Sequence, residues 1–180
     1  MNKQLVGTLV AGLILFIWQF ISWNLLNLHQ AEMQYTPKQD QIMEALTQLD
    51  LEEGHYMIPT VAPDASMEDK EKLMESMIGQ PWVTVSYHNA FEVNMGMNMT
   101  RGFLLDLFSA FLLVWVLMKF RENDFMTSLL ASLAVGAIGY LTIPYLHQVW
   151  METDSTGYLI DTIVAWGLVG AWLGWWLNRK

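Results

Sequence analysis

Two carboxylates, Asp106 and Asp161, interrupt stretches of the sequence that are otherwise apolar, Gly102–Met118 and Gly157–Leu177. Each is expected about a turn and a half inside the outer end of its stretch, roughly 7 Å along a helix that rises 1.5 Å per residue. An acid at such a depth in a bilayer costs a few kcal/mol on insertion scales, and function is the first hypothesis for it. If their helices are neighbours, the two carboxylates can approach one another.

Further polar residues are expected near the same depth or just above it: Arg101, Asn24, Gln19, His29 and His147. Together with the two acids they form an intramembrane polar layer confined to one leaflet. These groups either hydrogen-bond one another and support an outer domain, or they line a cavity for a small ligand or lipid headgroup. The opposite halves of the helices carry no ionisable group, which argues against a self-sufficient transporter or channel, because such a path crosses the whole bilayer.

Three methionines alternate with other residues in the segment Asn94–Met99. In an extended chain, Met95, Met97 and Met99 would share one side, and thioethers are soft ligands that favour Cu(I). His88 would be the nearest additional ligand. The alternative is that the three side chains are flexible apolar filler beside the membrane. We expect no cofactor and no strong metal site, with copper as the open alternative.

Several classes of function have little support in the composition. The chain has no cysteine, and its formal net charge of −9 argues against binding to nucleic acid. Neither a G-x-S-x-G nor an H-E-x-x-H motif occurs. We therefore expect a protein that is not an enzyme. A membrane enzyme would need a cavity that joins Asp106 or Asp161 to a histidine.

Four apolar runs are long enough to cross the bilayer as helices: Leu5–Leu28, Gly102–Met118, Phe125–Leu146 and Gly157–Leu177. The predicted fold is a membrane all-α four-helix bundle with a small extracytoplasmic α+β domain between its first and second transmembrane helices. The predicted divisions are residues 1–28 for the first helix, 29–101 for the outer domain and 102–180 for the three remaining helices.

The basic residues at the helix ends predict the orientation of the chain. If the four helices alternate in direction, one side of the membrane receives Lys3, Lys119, Arg121, Arg179 and Lys180. The positive-inside rule then places both termini in the cytoplasm and residues 29–101 on the periplasmic side of a bacterial inner membrane.

The outer segment has the pattern of a folded domain with the order helix–strand–helix–strand. Thr36 followed by Pro37 predicts the start of a first helix, and Ser66 predicts the cap of a second. Short strands are predicted at 55–58 and 82–88, the second from its alternation of apolar and polar residues.

Small residues spaced for close helix packing mark the last apolar run. Gly167, Gly170, Ala171 and Gly174 would let another helix approach closely. They form either an internal packing face or an interface with a partner or a second copy.

Three stretches, GTLVAGLILFIWQFISWNLLNLH, GHYMIP and QPWVTVSYH, resemble small bacterial inner-membrane proteins whose function is uncharacterised. The resemblance implies a bacterial membrane location and this topology. The leading hypothesis is a non-enzymatic accessory or scaffolding subunit whose partners are membrane lipids and other membrane subunits or further copies of itself. The alternative is an extracytoplasmic binder of copper or of a small ligand.

Overall fold

Helices make up most of the chain, and the computed structural model describes residues 2–179. The elements in chain order are α1 (Lys3–Phe20), a π-helix (Ile21–Leu25), α2 (Gln39–Gln48), β1 (Gly54–Ile58), α3 (Met67–Met77), β2 (Val83–Tyr87), α4 (Met95–Leu117), α5 (Phe125–Thr142), α6 (Pro144–Met151) and α7 (Thr156–Leu177). They form two compact units. The αβ unit is Tyr35–Val93, and the helical unit comprises the residues up to Gln34 and from Asn94 onwards.

Within residues 2–179, four segments are long and apolar enough to cross a membrane: Lys3–Leu25, Met95–Leu117, Phe125–Met151 and Thr156–Leu177. The prediction of four such helices is confirmed, and the chain is compatible with a multi-pass membrane protein. The third segment contains both α5 and α6, which are separated at Ile143. The break has a local cause, because Pro144 lacks an N–H group and disfavours helical backbone in the residue before it.

Helix α4 begins earlier than the apolar run that predicted it. The side chain of Asn94 accepts a hydrogen bond from the backbone N–H of Met97 at 3.0 Å and caps the helix. The extended conformation that would place the three methionines on one side is therefore not found, since Met95 is already helical. As a further consequence, Asp106 lies near the middle of α4 rather than close to its beginning.

The helical unit is built around α1, which packs against both α4 and α7, while α7 also packs against α5. Small residues allow the backbones to approach closely. A Cβ atom on Gly12 of α1 would lie 3.0 Å from the Cα of Leu107, and one on Gly170 of α7 would lie 2.9 Å from the Cα of Leu129. Helices α4 and α5 contact each other much less, and their facing sides are available to line a cavity.

The first turn of α1 and the last turn of α7 lie at the same end of the helical unit. The ammonium group of Lys3 donates to the carbonyl of Leu177 at 3.3 Å, and the indole N–H of Trp176 donates to the carbonyl of Lys3 at 2.9 Å. The opposite end of the unit is where α1 finishes and α7 begins. Lys180, one of the basic residues behind the predicted orientation, lies outside the described residues.

Asp124 caps the start of α5. Its carboxylate accepts the backbone N–H of Thr127 at 2.6 Å, and this hydrogen bond lowers the pKa of the Asp124 carboxyl below its usual value. The carboxylate also suits the positive end of the helix dipole. A charged cap therefore fixes where the third apolar segment begins.

The αβ unit contains the predicted elements in the predicted order. Strands β1 and β2 pair antiparallel, with Gly54 opposite Tyr87 and Ile58 opposite Val83. The side chain of Ser66 caps α3 as predicted, by accepting the N–H of Asp69 at 3.1 Å. Helix α2 starts two residues later than Pro37, because the Thr36 hydroxyl accepts the N–H of Lys38 and holds a turn there.

The αβ unit buries little of its own apolar surface. Throughout Tyr35–Val93, all of which the structure describes, no residue is fully buried. Ile78 is 80% exposed and Phe91 is 95% exposed. Two short strands and two short helices cannot enclose a complete core, which agrees with the general limit on small domains.

Candidate ligand cavity

Consecutive residues of α1 hold the two carboxylates identified from the sequence. The indole N–H of Trp18 donates to Oδ1 of Asp161 on α7 at 2.9 Å. The side-chain amide of Gln19 donates to Oδ1 of Asp106 on α4 at 3.1 Å. Neighbouring residues of a helix point about 100° apart, so one turn of α1 can form hydrogen bonds with both α4 and α7.

The two carboxylates differ in how completely they are satisfied. Both oxygens of Asp161 accept hydrogen bonds, one from Trp18 and one from the Nε2 atom of His29 at 2.9 Å. Asp106 is only 6% exposed, and its Oδ2 atom has no hydrogen-bond partner among residues 2–179. A buried oxygen without a donor carries a desolvation penalty. Asp106 is consequently the less stabilised of the two acids.

The end of α1 is shaped so that His29 reaches back to α7. The last turn of the first span is a π-helix, Ile21–Leu25, and Asn27 then adopts a left-handed conformation with φ of 50°. Short polar residues such as asparagine tolerate this region better than most. The N–H of Leu28 donates to the carbonyl of Ser22 at 3.1 Å, closing the turn. Widened turns of this kind are frequent at functional sites.

His29 is 5% exposed and is enclosed by aromatic rings. The ring of Trp23 stacks on it at 4.0 Å between centroids, and the ring of Tyr158 meets it edge-on at 4.6 Å. A Cβ atom on Gly157 would lie 2.7 Å from the carbonyl of Leu28 and 3.0 Å from Nδ1 of His29. The start of α7 thus needs glycine at this position to let the imidazole reach Asp161.

A glutamate lies on the far side of the imidazole. Nδ1 of His29 is 3.8 Å from the carboxylate of Glu32, and the phenol of Tyr158 donates to Glu32 at 3.3 Å. An ionised Asp161 carboxylate only accepts hydrogen bonds, so its contact with Nε2 of His29 requires the tautomer that carries a proton on that nitrogen. His29 therefore lies between two acids, with the shorter contact to Asp161.

Asp106 and Asp161 both line a cavity of about 430 Å³, and the two helices that carry them each pack against α1. Five aromatic residues contribute to its walls: Trp18, Trp23, Tyr140, Tyr158 and Trp166. Its α5 side includes Gly136 and Gly139. No lysine or arginine lines this cavity in the part of the chain that the structure describes. Its volume lies within the range typical of small-molecule sites.

Hydrogen bonds at the edge of the cavity join α5, α6 and α7. The hydroxyls of Tyr140 and Ser155 are 2.9 Å apart, and the Ser155 hydroxyl also donates to the side chain of Gln148. Ser155 is buried immediately before α7. This network fixes the tyrosine that forms part of the wall.

Three residues of the predicted polar layer take no part in the contacts of Asp106 and Asp161. Asn24 is exposed, and its amide donates to the carbonyl of Phe20 at 3.2 Å. Arg101 is exposed and forms no salt bridge within residues 2–179. His147 is also exposed and lines a neighbouring cavity of about 560 Å³ that Glu32 and Tyr158 border too. The structure thus pairs Gln19 with Asp106 and His29 with Asp161, and the other three residues do not take part in these contacts.

Helical geometry separates the three methionines of the proposed copper site. At 100° per residue, Met95 and Met99 share one face of α4 while Met97 points elsewhere. Met95 and Met99 border a groove that Asn24 also lines. His88 belongs to the αβ unit. Within residues 2–179, no three His, Asp or Glu side chains converge on a common point that would suit a metal.

The small residues of α7 contribute to packing inside the chain. A Cβ atom on Gly174 would lie 2.8 Å from the carbonyl of Phe125, and Gly170 is buried against α5 as described above. Gly167 and Ala171 are only half-buried. A Cβ atom on Gly167 would lie 3.8 Å from Leu133 of α5, so all three glycines of this predicted face lie against α5.

Trp18, Trp23, Glu32 and Tyr158, which contact Asp161 or His29, were not among the predicted site residues. Tryptophans near helix ends are common in the aromatic belts of membrane proteins, so residue type alone does not mark Trp18 or Trp23 as part of a site. Helical spacing offers a clue, since Gly157, Tyr158 and Asp161 share one face of α7. Spacing alone could not show that this face meets α1.

The arrangement of Ser22, His29 and Asp161 differs from a hydrolytic triad. In a triad, the acid contacts one imidazole nitrogen and the serine contacts the other. Here the Ser22 hydroxyl, at 3.4 Å, and Asp161 both lie beside Nε2. The histidine cannot be held by the acid through that nitrogen and also accept the serine proton there. The geometry is suited to positioning Asp161 rather than to activating a nucleophile.

Comparison of the chain with protein-family models, with curated proteins and with solved structures finds no match.

Proposed function

We propose that this protein is a non-enzymatic, multi-pass membrane protein that binds a small amphipathic ligand in the cavity between α1, α4, α5 and α7. One observation carries the proposal: Asp106 lines a cavity whose walls are otherwise mainly aromatic and apolar, and Oδ2 of its carboxylate is buried without a donor among residues 2–179. A ligand that supplies a donor would remove the desolvation penalty of this oxygen. Its apolar part would contact the aromatic walls.

The location that we propose is a bacterial inner membrane, with residues 29–101 on the periplasmic side. The excess of lysine and arginine near the two termini and near the loop between α4 and α5 supports this orientation. The cavity would then open in the periplasmic half of the bilayer.

A cavity-filling substitution tests the proposed function. Gly139 lines the cavity, and no atom of residues 2–179 lies within 4 Å of a Cβ atom added there, so Gly139→Phe should fill the space without displacing the backbone. Gly102→Phe is the matched control, because Gly102 has equally open surroundings and does not line this cavity. Native mass spectrometry of the purified protein should detect a bound small molecule in the wild type and the control, and lose it in Gly139→Phe. Equal occupancy in all three would contradict the proposal.

A second candidate, an accessory or scaffolding subunit of a larger membrane complex, is favoured by the αβ unit. Its exposed apolar side chains, with Ile78 and Phe91 as the extreme cases, would be covered by other subunits or by further copies of this chain. Blue-native electrophoresis after mild detergent extraction should then show a species larger than the monomer, and co-purification with mass spectrometry would identify its members. Migration solely as a monomer would contradict this candidate.

A further inference from the structure

We propose that the ligand of this cavity is an organic cation, a molecule with an ammonium group attached to an apolar body. The inference rests on the proposed function and specifies its ligand class. Three features of the cavity lead to it: the sign of its charges, the nature of its walls and its size.

The charge of the lining favours a cation. Among residues 2–179, Asp106 and Asp161 are the two formally charged residues that line it, and the one side-chain donor to Asp106 is the neutral amide of Gln19. Asp161 has His29 as a close partner, so its charge is the better compensated of the two. A positively charged group near Oδ2 of Asp106 would compensate the acid that the protein leaves unpaired. A neutral hydroxyl could donate one hydrogen bond there but would leave the charge unmatched.

The aromatic walls distinguish an organic cation from a metal ion. Ammonium groups are attracted to the faces of tryptophan and tyrosine, and aromatic cages are a common way to bind them. The cavity has three tryptophans and two tyrosines on its walls. Hard metal ions instead require several oxygen ligands at short distances. Among the described residues, no cluster of three such side chains converges here or elsewhere.

The size of the cavity also points to an organic molecule. A volume of about 430 Å³ is far more than a single inorganic ion fills, and it matches the lower part of the range for small-molecule sites. Apolar residues such as Leu15, Val135 and Ala165 line the remaining wall. They would contact the uncharged part of the ligand.

The experiment compares three probes of similar size: benzylammonium, neutral benzyl alcohol and anionic phenylacetate. Binding of each to the full-length protein in dodecylmaltoside micelles is measured by isothermal titration calorimetry, with empty micelles as the blank. We expect the cation to bind one per chain and at least about tenfold more tightly than the other two probes, because only the cation gains both charge and cation–π attraction.

Two neutralising variants connect the result to the proposed acid. Asp106→Asn preserves the side-chain size and should weaken cation binding about tenfold or more, while changing binding of the neutral probe less than about threefold. Glu122→Gln is the control, since it removes the same charge from an exposed loop residue that does not line the cavity. Thermal unfolding of each variant verifies that it remains folded. If Asp106→Asn fails to fold, Trp166→Leu provides the second variant. It too should weaken binding of the cation more than binding of the neutral probe.

The outcomes separate this inference from the proposed function. If the neutral or anionic probe binds as tightly as the cation, and Gly139→Phe abolishes that binding, the cavity binds ligands but the inference of a cation is wrong. If cation binding survives Gly139→Phe, or if Asp106→Asn leaves it unchanged, the inference is also wrong. If no probe binds to the wild type above the blank, the inference is overturned, and the native mass spectrometry experiment then decides the proposed function by itself.

Discussion

The contact between His29 and Asp161 should contribute measurably to the stability of the helical unit. The histidine side chain is almost completely buried, and its Nε2 lies 2.9 Å from Oδ2 of Asp161. His29→Phe retains an aromatic ring to stack on Trp23 but removes the donor. Asp161→Leu removes the acceptor and replaces it with an apolar side chain of similar size. These two variants and the double variant form a double-mutant cycle.

The expected coupling energy is about 1.5 kcal/mol. Hydrogen bonds to charged groups contribute roughly 1.5–3 kcal/mol to the stability of soluble proteins. In membrane helices, measured side-chain couplings average about 0.6 kcal/mol and reach about 1.7, because polar groups find other partners in the unfolded state. The short distance and the burial of His29 place this pair near the upper end of the membrane range. His29→Phe alone should cost more than the coupling, since it leaves one oxygen of Asp161 without its donor.

The assay is reversible unfolding in mixed micelles, followed by circular dichroism of the four variants. A second cycle on His55 and Ser86 supplies the control, because their side chains are also 2.9 Å apart but lie exposed in the αβ unit. Its coupling should be below about 0.5 kcal/mol, as for exposed pairs generally. A His29–Asp161 coupling no larger than that of the control would refute the reasoning from burial and distance.

Four other outcomes are expected. Gly157→Ala should destabilise the helical unit, because the added Cβ atom would overlap the carbonyl of Leu28. Gly139→Ala should be neutral or stabilising, because the surroundings of Gly139 are open. Thermal unfolding compares the two variants, and equal effects would contradict the packing argument. Asp124→Ala should destabilise the protein at neutral pH, and this effect should shrink as the pH falls through the lowered pKa of the native carboxyl, because the cap acts as a carboxylate. Asp124→Ser caps the helix without a charge, so the stability of this variant should depend little on pH in the same range. Unfolding measurements across that pH range compare the two variants, and equal pH dependence would count against a charged cap. In intact spheroplasts, a membrane-impermeant amine reagent should modify Lys38 and spare Lys119, and the reverse would overturn the proposed orientation. Replacing the three methionines at the start of α4 with leucine should leave Cu(I) binding unchanged, and loss of stoichiometric binding would revive the copper hypothesis.

The sequence was sufficient to identify the apolar helices and the two acids, because a charged residue contrasts sharply with an apolar run. The start of α4 shows where local patterns competed. Alternating methionines suggested an extended segment, but Asn94 is also a strong helix cap, and the cap together with the helix that follows determined the conformation. The Asn94 cap is therefore the local feature that predicts a helical start for this segment.

The position of His29 could not be derived from local patterns. Its contact with Asp161 depends on a π-helix, on the left-handed backbone of Asn27 and on the space beside Gly157. Each feature is recognisable only once the helices are placed, since contacts between distant parts of the chain determine it. Trp18 is a similar case, because nothing in its neighbours distinguishes a tryptophan at the lipid interface from one that donates to a buried carboxylate.

Because Trp18 and Gln19 are adjacent on α1, the donors to the two acids move together when α1 rotates about its own axis. A rotation of a few tens of degrees would move the indole away from Asp161 and the amide away from Asp106 in the same motion. A rotation of α1 would therefore change the geometry at both carboxylates together, although the acids lie on two different helices. The same rotation would also have to alter the hydrogen bond at the first turn of α1, where Lys3 donates to the carbonyl of Leu177 at the end of α7.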